Sequence, residues 1–172
     1  MLWTCYGLII ANHTVILVNF VGLACALFYL GTYYCFSAHR QHELFVQALA
    51  LCSAALLAIM ITARSINPYH TVPMLGLISS SFSVALFGSP LVKLYHVVMV
   101  TKSAASIPLS QSVLGFLCSS AWAFYGYLLQ DWYMITPNLL GSLLSLLQLG
   151  IIWAYWTRSV ESLLMKPEPS QV

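Results

Sequence analysis

The chain has 172 residues, and only ten of them are charged: six Lys or Arg and four Asp or Glu. Charged residues make up 6% of the sequence, where a soluble domain carries about 25%, and mean hydropathy is +0.87. This composition excludes a disordered chain, a collagen and a disulfide scaffold, and it indicates an integral membrane protein. The formal net charge of +2, spread over scattered basic residues, also argues against a nucleic-acid partner.

Uncharged segments of the sequence are long enough to cross a membrane. A spanning helix needs about 20 apolar residues. The charges, together with a polar cluster at 11–14 that divides the first uncharged segment, predict five helices at about 15–36, 44–63, 72–100, 107–130 and 132–157. Residues 1–11 form a stub that reaches only about 16 Å as a helix. The segments are continuously apolar, which argues against alternating β-barrel strands. The stub lacks the basic region and cleavage site of a signal peptide.

The basic residues predict how the helices are oriented. Those expected on one side are Arg40, Lys93, Lys102, Arg158 and Lys166. Only Arg64 is expected on the other side. We therefore expect the C-terminus in the cytosol and the loop at 11–14 outside, where Asn12-His13-Thr14 forms a glycosylation sequon. The tail after Lys166 has no apolar anchor, and we expect it to be disordered.

Two segments of the chain align without a gap at an offset of 119 residues. Residues 3–22 read WTCYGLIIANHTVILVNFVG, and residues 122–141 read WAFYGYLLQDWYMITPNLLG. Two interfacial aromatic belts could coincide by chance, but an Asn and two glycines match as well as the Trp, Tyr and Ile. Each copy covers the end of one helix, an outside loop and the start of the next helix, so the two repeats are parallel.

The repeat predicts a domain organisation in four parts. These are a remnant of the first three-helix repeat at 1–36, a linker helix with loops at 37–70, a complete second repeat at 71–158 and a cytosolic tail at 159–172. Subtracting the offset places the start of the first repeat about 45 residues before Met1. The expected fold class is therefore all-α and integral to the membrane, a 3+1+3 arrangement that lacks about its first one and a half helices.

An ordered set of motifs resembles the SWEET (MtN3/saliva) family of sugar transporters. In the second repeat the motifs are Gly88-Ser89-Pro90-Leu91, Val100-Thr101-Lys102-Ser103, Ile107-Pro108, Trp122-x-x-Tyr125-Gly126, Asp131, Pro137-Asn138-x-x-Gly141 and Gln148-Leu149. The first repeat offers Trp3-x-x-Tyr6-Gly7 and Val18-Asn19-x-x-Gly22. The resemblance implies two three-helix bundles joined by a linker helix. It also implies facilitated, bidirectional passage of mono- or disaccharides of the glucose or sucrose class, with no cofactor, metal or covalent chemistry.

Four residues are candidate sugar ligands. Asn19 and Asn138 are related by the repeat, and two amides that face one axis suit sugar hydroxyls; the alternative is hydrogen bonding between helices. Trp122 and Trp3 are the second pair, because an indole packs against the C–H face of a sugar. Their alternative is a place in the membrane-interface belt. The family resemblance implies that the asparagines and Trp122 bind sugar.

Four further residues are candidates for conformational change. Pro90 and Pro108 lie inside segments long enough to span, where proline removes a backbone hydrogen bond and kinks the helix. The resemblance implies that they are hinges, and the alternative is a fixed kink. Tyr6 and Asp131 are candidates for an outer gate through a hydroxyl–carboxylate hydrogen bond. Their alternative is a belt tyrosine and a solvated loop acid.

The function expected from the sequence is sugar uniport by alternating access in the plasma membrane or the Golgi. One alternative is a non-transporting subunit that forms homo- or hetero-oligomers and modulates full-length transporters, and another is a membrane receptor or scaffold. We expect no enzyme, because the sequence offers no Ser/His/Asp set, paired carboxylates or phosphate loop. The five cysteines lie in apolar segments without ligand spacing and are expected to be small hydrophobic residues.

Overall fold

A computed structural model of the chain describes residues 2–36, 39–65 and 67–164. These residues form helices joined by short connections. The α-helices are α1 (Leu2–Ile9), α2 (His13–Phe36), α3 (His39–Ser65), α4 (Pro68–Ala85), α5 (Gly88–His96), α6 (Leu109–Leu129) and α7 (Trp132–Leu164). A π-helical turn at Val97–Thr101 and a 3₁₀ turn at Ala104–Ser106 connect α5 to α6. The prediction of an all-α membrane protein is confirmed.

Four stretches of the described residues are long and apolar enough to cross a membrane. They are His13–Phe36, Tyr69–Thr101, Leu109–Leu129 and Trp132–Trp156, and they correspond to four of the five predicted spans. The fifth, predicted at 44–63, lies within α3, whose shorter apolar stretch is Phe45–Ile59. Helix α7 continues past the predicted end at 157 to Leu164. The prediction for the tail after Lys166 lies outside the described residues.

The chain divides into two compact units between Ser79 and Ser80, inside α4. In the first unit, α1 and α2 form an antiparallel hairpin. The stub predicted at 1–11 is α1, and its Tyr6 and Gly7 are buried. A Cβ added to Gly7 would lie 2.9 Å from Cγ1 of Val15, so this glycine allows the two helices to approach closely.

In the second unit, α6 and α7 form an antiparallel pair along which small residues meet. A Cβ on Gly126 would lie 3.1 Å from the backbone nitrogen of Ile135, and one on Gly141 would lie 2.9 Å from Ser119 Oγ. Farther along, the Ser120 and Ser142 hydroxyls are 2.8 Å apart. Membrane helices lack a hydrophobic driving force between them and pack through such small residues and interhelical hydrogen bonds.

The end of the second unit near α5 has its own apolar cluster. Leu94, Val97 and Ile107 are buried, and they come from α5, the π-helical turn and the loop before α6. Side chains of α7 pack against them: Leu144, Ile151, Ile152 and Tyr155. The cluster fixes the connection between α5 and α6 against the long last helix.

Candidate functional site

The loops that join α1 to α2 and α6 to α7 have the same backbone geometry. Ala11 has φ 52° and Gln130 has φ 55°, both left-handed. The next residue in each loop donates its backbone N–H to a glycine carbonyl, Asn12 to Gly7 and Asp131 to Gly126, both at 2.9 Å. Equivalent residues of the two loops differ by 119 in number, so the sequence repeat is also a repeat of local structure.

Asn12 and Asp131 each cap the helix that follows. Oδ1 of Asn12 accepts the backbone N–H of Val15 at 3.1 Å. Oδ1 of Asp131 accepts the backbone N–H groups of Tyr133 at 3.0 Å and Met134 at 3.2 Å. A side-chain oxygen at this position satisfies N–H groups that the first helical turn leaves unpaired. Asp131 thus anchors the start of α7; the gate predicted for it and Tyr6, which lies in the other unit, stays a prediction.

The two candidate asparagines have matching side-chain positions. Nδ2 of Asn19 donates to the carbonyl of Val15 at 2.9 Å, and Nδ2 of Asn138 donates to the carbonyl of Met134 at 2.8 Å. Both residues are half-buried. A primary amide has two N–H donors and a carbonyl acceptor, and the bond to the preceding turn uses one donor. It fixes the side chain and leaves the carbonyl for another group.

Each unit also holds a tryptophan edge-to-face against a tyrosine one helical turn later. The ring centroids of Trp3 and Tyr6 are 5.5 Å apart at 86°, and those of Trp122 and Tyr125 are 5.9 Å apart at 80°. Edge-to-face contact is a favoured geometry for aromatic rings. Both tryptophans are half-buried, so each indole is held in place and keeps exposed surface.

Tryptophan and asparagine lie at one level of each hairpin. Trp122 is four residues before Gly126, and Asn138 is four residues after Met134, against which Gly126 packs. In antiparallel helices these equal steps bring both residues to the same height, about 6 Å from the contact. Trp3 and Asn19 have the same relation to the contact of Gly7 with Val15. The structure therefore places each candidate Trp at the same height along the hairpin as the candidate Asn of its own unit.

The two hinge prolines differ in position. Pro90 is the third residue of α5, just after the break at Leu86 and Phe87 that separates α4 from α5. Its ring would clash with the carbonyl of the residue four positions earlier, Leu86, in a continuous helix. The prediction that Pro108 kinks the inside of a helix is wrong. Pro108 is the N-cap of α6, with extended backbone (φ −70°, ψ 119°), and it ends the connection from the 3₁₀ turn.

Sequence reasoning gave no helical role to two prolines that the structure places inside helices, Pro73 in α4 and Pro137 in α7. Pro137 directly precedes Asn138 and is buried. Since proline cannot donate a hydrogen bond to the carbonyl four residues earlier, the Tyr133 carbonyl accepts one from the Ser80 hydroxyl instead, at 2.5 Å. The signal was in the sequence, because both prolines stand within apolar segments.

Among the described residues, no group of three His, Cys, Asp or Glu could hold a metal ion.

Comparison of the sequence with known proteins identifies one family. A family model described as "Sugar efflux transporter for intercellular exchange" (MtN3_slv) matches residues 1–41 and 73–159. The sugar transporter SWEET1 of Drosophila pseudoobscura pseudoobscura is 33% identical over 160 residues, covering 91% of this chain and 70% of the relative. The bidirectional sugar transporter SWEET8 of Arabidopsis thaliana is 28% identical and is matched along the whole of this chain and 75% of its own length.

A solved structure has the same fold. The structure of a eukaryotic SWEET transporter matches with a TM-score of 0.85 at 24% identity, over 91% of this chain and 74% of that one.

Proposed function

The chain belongs to the SWEET (MtN3/saliva) family, and we propose that it moves mono- or disaccharides across a membrane by facilitated, bidirectional passage. Its relatives carry the names of sugar transporters. The observation in this chain that supports the proposal best is the Trp and Asn at one level of each hairpin, repeated at an offset of 119. Parallel structural repeats are a common architecture of secondary transporters.

The chemistry of these residues suits a neutral, hydroxyl-rich ligand. The carbonyl of each Asn accepts from a hydroxyl, and the amide nitrogen, already held by the preceding turn, retains a second donor. The indole of Trp122 offers a flat apolar face for the C–H side of a sugar ring. The two Asn and two Trp side chains carry no charge, so they suit a neutral sugar better than an ionic substrate.

For the transport cycle we propose alternating access about the break between α4 and α5. The span Tyr69–Thr101 is interrupted at Leu86 and Phe87, after which Gly88 and Pro90 begin α5. Glycine tolerates wide backbone rotation, and proline prevents the helix from closing over the break. Pro108, the N-cap of α6, is the second proposed hinge, because it has no backbone N–H to tie it to the preceding connection. Hinges are residues at the ends of elements that absorb backbone rotation, and both prolines lie at such ends.

The decisive experiment replaces the asparagines and measures uptake of labelled glucose and sucrose in proteoliposomes of the whole chain. Asn138→Ala and Asn19→Ala each leave a sugar hydroxyl unpaired at a cost of about 1–3 kcal/mol, so uptake should fall about fivefold or more. The matched control is Thr32→Val, because Thr32 also lies in α2 and donates to the carbonyl four residues earlier, but it is exposed. Wild-type uptake by both Asn variants would contradict the assignment.

The membrane and the assembly belong to the same proposal. We expect the protein in the plasma membrane, with the Golgi as the second location, and we expect it to form homo- or hetero-oligomers. Fluorescence of the tagged full chain against markers of both membranes tests the location. Crosslinking in the native membrane tests the assembly, and a chain that crosslinks to nothing under conditions that capture a known dimer would contradict it.

One observation favours an alternative, a subunit that pairs with a full-length transporter and modulates it without transporting. A Cβ on Gly141 would meet Ser119 and Phe87, whereas a Cβ on the repeat-equivalent Gly22 would meet nothing within 4 Å. The α2 side chains from Val18 to Phe36 are exposed or half-buried, so a further helix fits against them. Co-reconstitution distinguishes a modulator from a transporter. If the chain is a modulator, the sugar flux of a full-length relative changes when the wild-type chain is added but not when the Gly22→Phe variant is added, and the chain alone carries no sugar.

A further inference from the structure

The second unit contains a polar cavity that is separate from the Trp–Asn level. Its volume is about 260 Å³, and it lies among Ser89 and Pro90 of α5, Gln111 and Ser112 of α6, and Gln148 of α7, with Lys93 at its wall. Ser112 is ten residues before Trp122 and Gln148 is ten residues after Asn138, which places the cavity about 15 Å farther along both helices. The sugar ligands proposed above do not line it.

Every polar side chain of the cavity can donate a hydrogen bond. Lys93 contributes an ammonium group, Ser89 a hydroxyl and Gln111 an amide. The hydroxyl of Ser112 is bonded to Gln148 Oε1 at 3.1 Å, which holds one end of the Gln148 amide at the wall and leaves its nitrogen as a further donor. The first turn of α6 begins beside them at Pro108, which provides no side-chain cap, so the positive end of that helix adds to the field of Lys93.

The charge of Lys93 is not balanced within the cavity. The lining residues include no carboxylate, although the chain has four acids in total. Lys93 lies eight residues before the end of the apolar span Tyr69–Thr101, close to a membrane boundary where a charge without water or a partner is unfavourable. A neutral sugar would leave this charge uncompensated, whereas an anion of headgroup size would compensate it and accept from the surrounding donors.

We propose that this cavity binds a phosphate group. Lys93 supplies the charge, and Ser89, Gln111 and Gln148 supply hydrogen bonds to the phosphate oxygens. The cavity lies beside the first turn of α6, which enters its span at Leu109, and this end of a span is at the depth of lipid headgroups. The phosphate therefore comes either from an anionic lipid or from a soluble phosphate at the same face of the membrane. Basic pockets between transmembrane helices recognise lipid headgroups in this way.

The test compares Lys93→Gln with Lys102→Gln, which removes the same charge from a lysine outside the cavity whose Nζ donates to the Val98 carbonyl. The 172-residue chain is placed in nanodiscs of phosphatidylcholine with or without phosphatidic acid. Native mass spectrometry then measures the fraction of the protein that retains phosphatidic acid. Retention should fall about fivefold in Lys93→Gln, the effect of one Lys near an anionic surface (~1 kcal/mol), and stay at the wild-type level in Lys102→Gln. Gln148→Leu, which keeps the charge, should also weaken retention.

A second arm distinguishes the source of the phosphate. In phosphatidylcholine nanodiscs, sodium phosphate is compared with sodium chloride at equal ionic strength, and thermal unfolding is measured. A Lys93-dependent rise in melting temperature with phosphate identifies a soluble ligand, and its absence together with retained phosphatidic acid identifies a lipid. Equal losses of phosphatidic acid from Lys93→Gln and Lys102→Gln would overturn the proposal. So would a wild-type chain that neither retains phosphatidic acid nor changes its melting temperature with sodium phosphate. So would a loss of glucose binding in Lys93→Gln without any response to phosphate, because the cavity would then belong to the sugar path.

Discussion

Asn12 and Asp131 perform the same structural task with different side chains. Each follows a left-handed residue, and each accepts backbone N–H groups at the start of the next helix. An amide oxygen and a carboxylate oxygen are both good caps. The cap accounts for the presence of Asn12 without any reference to the sequon it begins.

A substitution at Asn12 separates the cap from the sequon. Asn12→Asp keeps an acceptor oxygen, reproduces the residue of the second repeat and removes the sequon, so the free energy of unfolding should stay near the wild-type value. Asn12→Ala removes the acceptor and should destabilise the chain by about 1 kcal/mol. Denaturant unfolding in detergent measures both. Equal destabilisation by Asp and Ala would show that the oxygen is not the important group, and a faster gel mobility of Asn12→Asp from eukaryotic cells would reveal a glycan.

At the scale of single elements, the sequence predicted helices well and connections poorly. Long uncharged segments must be helical inside a membrane because every backbone polar group has to be paired, so the positions of α2, α6 and α7 followed from the charges and the polar cluster at 11–14, although α7 continues past its predicted end. Pro108 was misplaced because the absence of charge does not reveal where a helix begins. The residues from Lys102 to Pro108 include a single charge and only one large apolar side chain, Ile107, and they form the C-cap of the π-helical turn, the 3₁₀ turn and the N-cap of α6.

Contacts between elements were beyond the sequence for a different reason. The hydrogen bond from Ser112 to Gln148 and the Ser120–Ser142 pair depend on the register of α6 against α7, and a one-dimensional pattern does not fix that register. The repeat did fix the local geometry of the candidate site. It predicted that Trp3, Trp122, Asn19 and Asn138 are equivalent in pairs, and the ring contacts and amide bonds of these residues match.

The close packing of α6 on α7 leads to a prediction with an internal control. A Cβ at Gly126 would lie 3.1 Å from the backbone nitrogen of Ile135, an atom that cannot move independently. Gly126→Ala should therefore destabilise the pair by about 1–3 kcal/mol, as overpacking does. Gly150 lies in α7, and a Cβ added there would meet nothing within 4 Å, so Gly150→Ala should be neutral or stabilising by about 0.5–1 kcal/mol. Thermal unfolding in one detergent compares them, and equal effects would contradict close packing at Gly126.

Over the whole molecule, the two repeats have closely similar local structure in their loops and are less similar along their helices. The left-handed residues, caps, ring pairs and amide bonds all recur at an offset of 119. The recurrence ends at the glycines three residues past the asparagines: Gly141 is buried against its neighbours, and Gly22 is exposed. The two hairpins thus keep the part that positions the proposed sugar ligands, and they differ in the surfaces available to other helices.

The order of the spans predicts the orientation of the molecule in the membrane. Helices that cross in turn place the ends near residues 36–40, 93–102 and 158–164 on one side, and the loops near 10–12 and 130–131 on the other. The first side carries Arg40, Lys93, Lys102 and Arg158, and the described residues on the second side add only Arg64 at the end of α3. Basic residues in short loops are retained in the cytosol.

We therefore expect the C-terminus, and with it the phosphate cavity, to face the cytosol, and the capped loops with Asn12 and Asp131 to face outside. An epitope tag after Val172 should resist protease in intact cells and become sensitive after permeabilisation. A tag inserted after Ala11 should show the opposite behaviour, and it serves as the control for membrane integrity. Removing charge tests whether the basic residues set the orientation. The double variant Lys93→Gln with Lys102→Gln lacks two of the basic residues expected in the cytosol and should produce a fraction of inverted molecules. Protease sensitivity of the C-terminal tag in intact cells would show that the basic residues do not set the orientation.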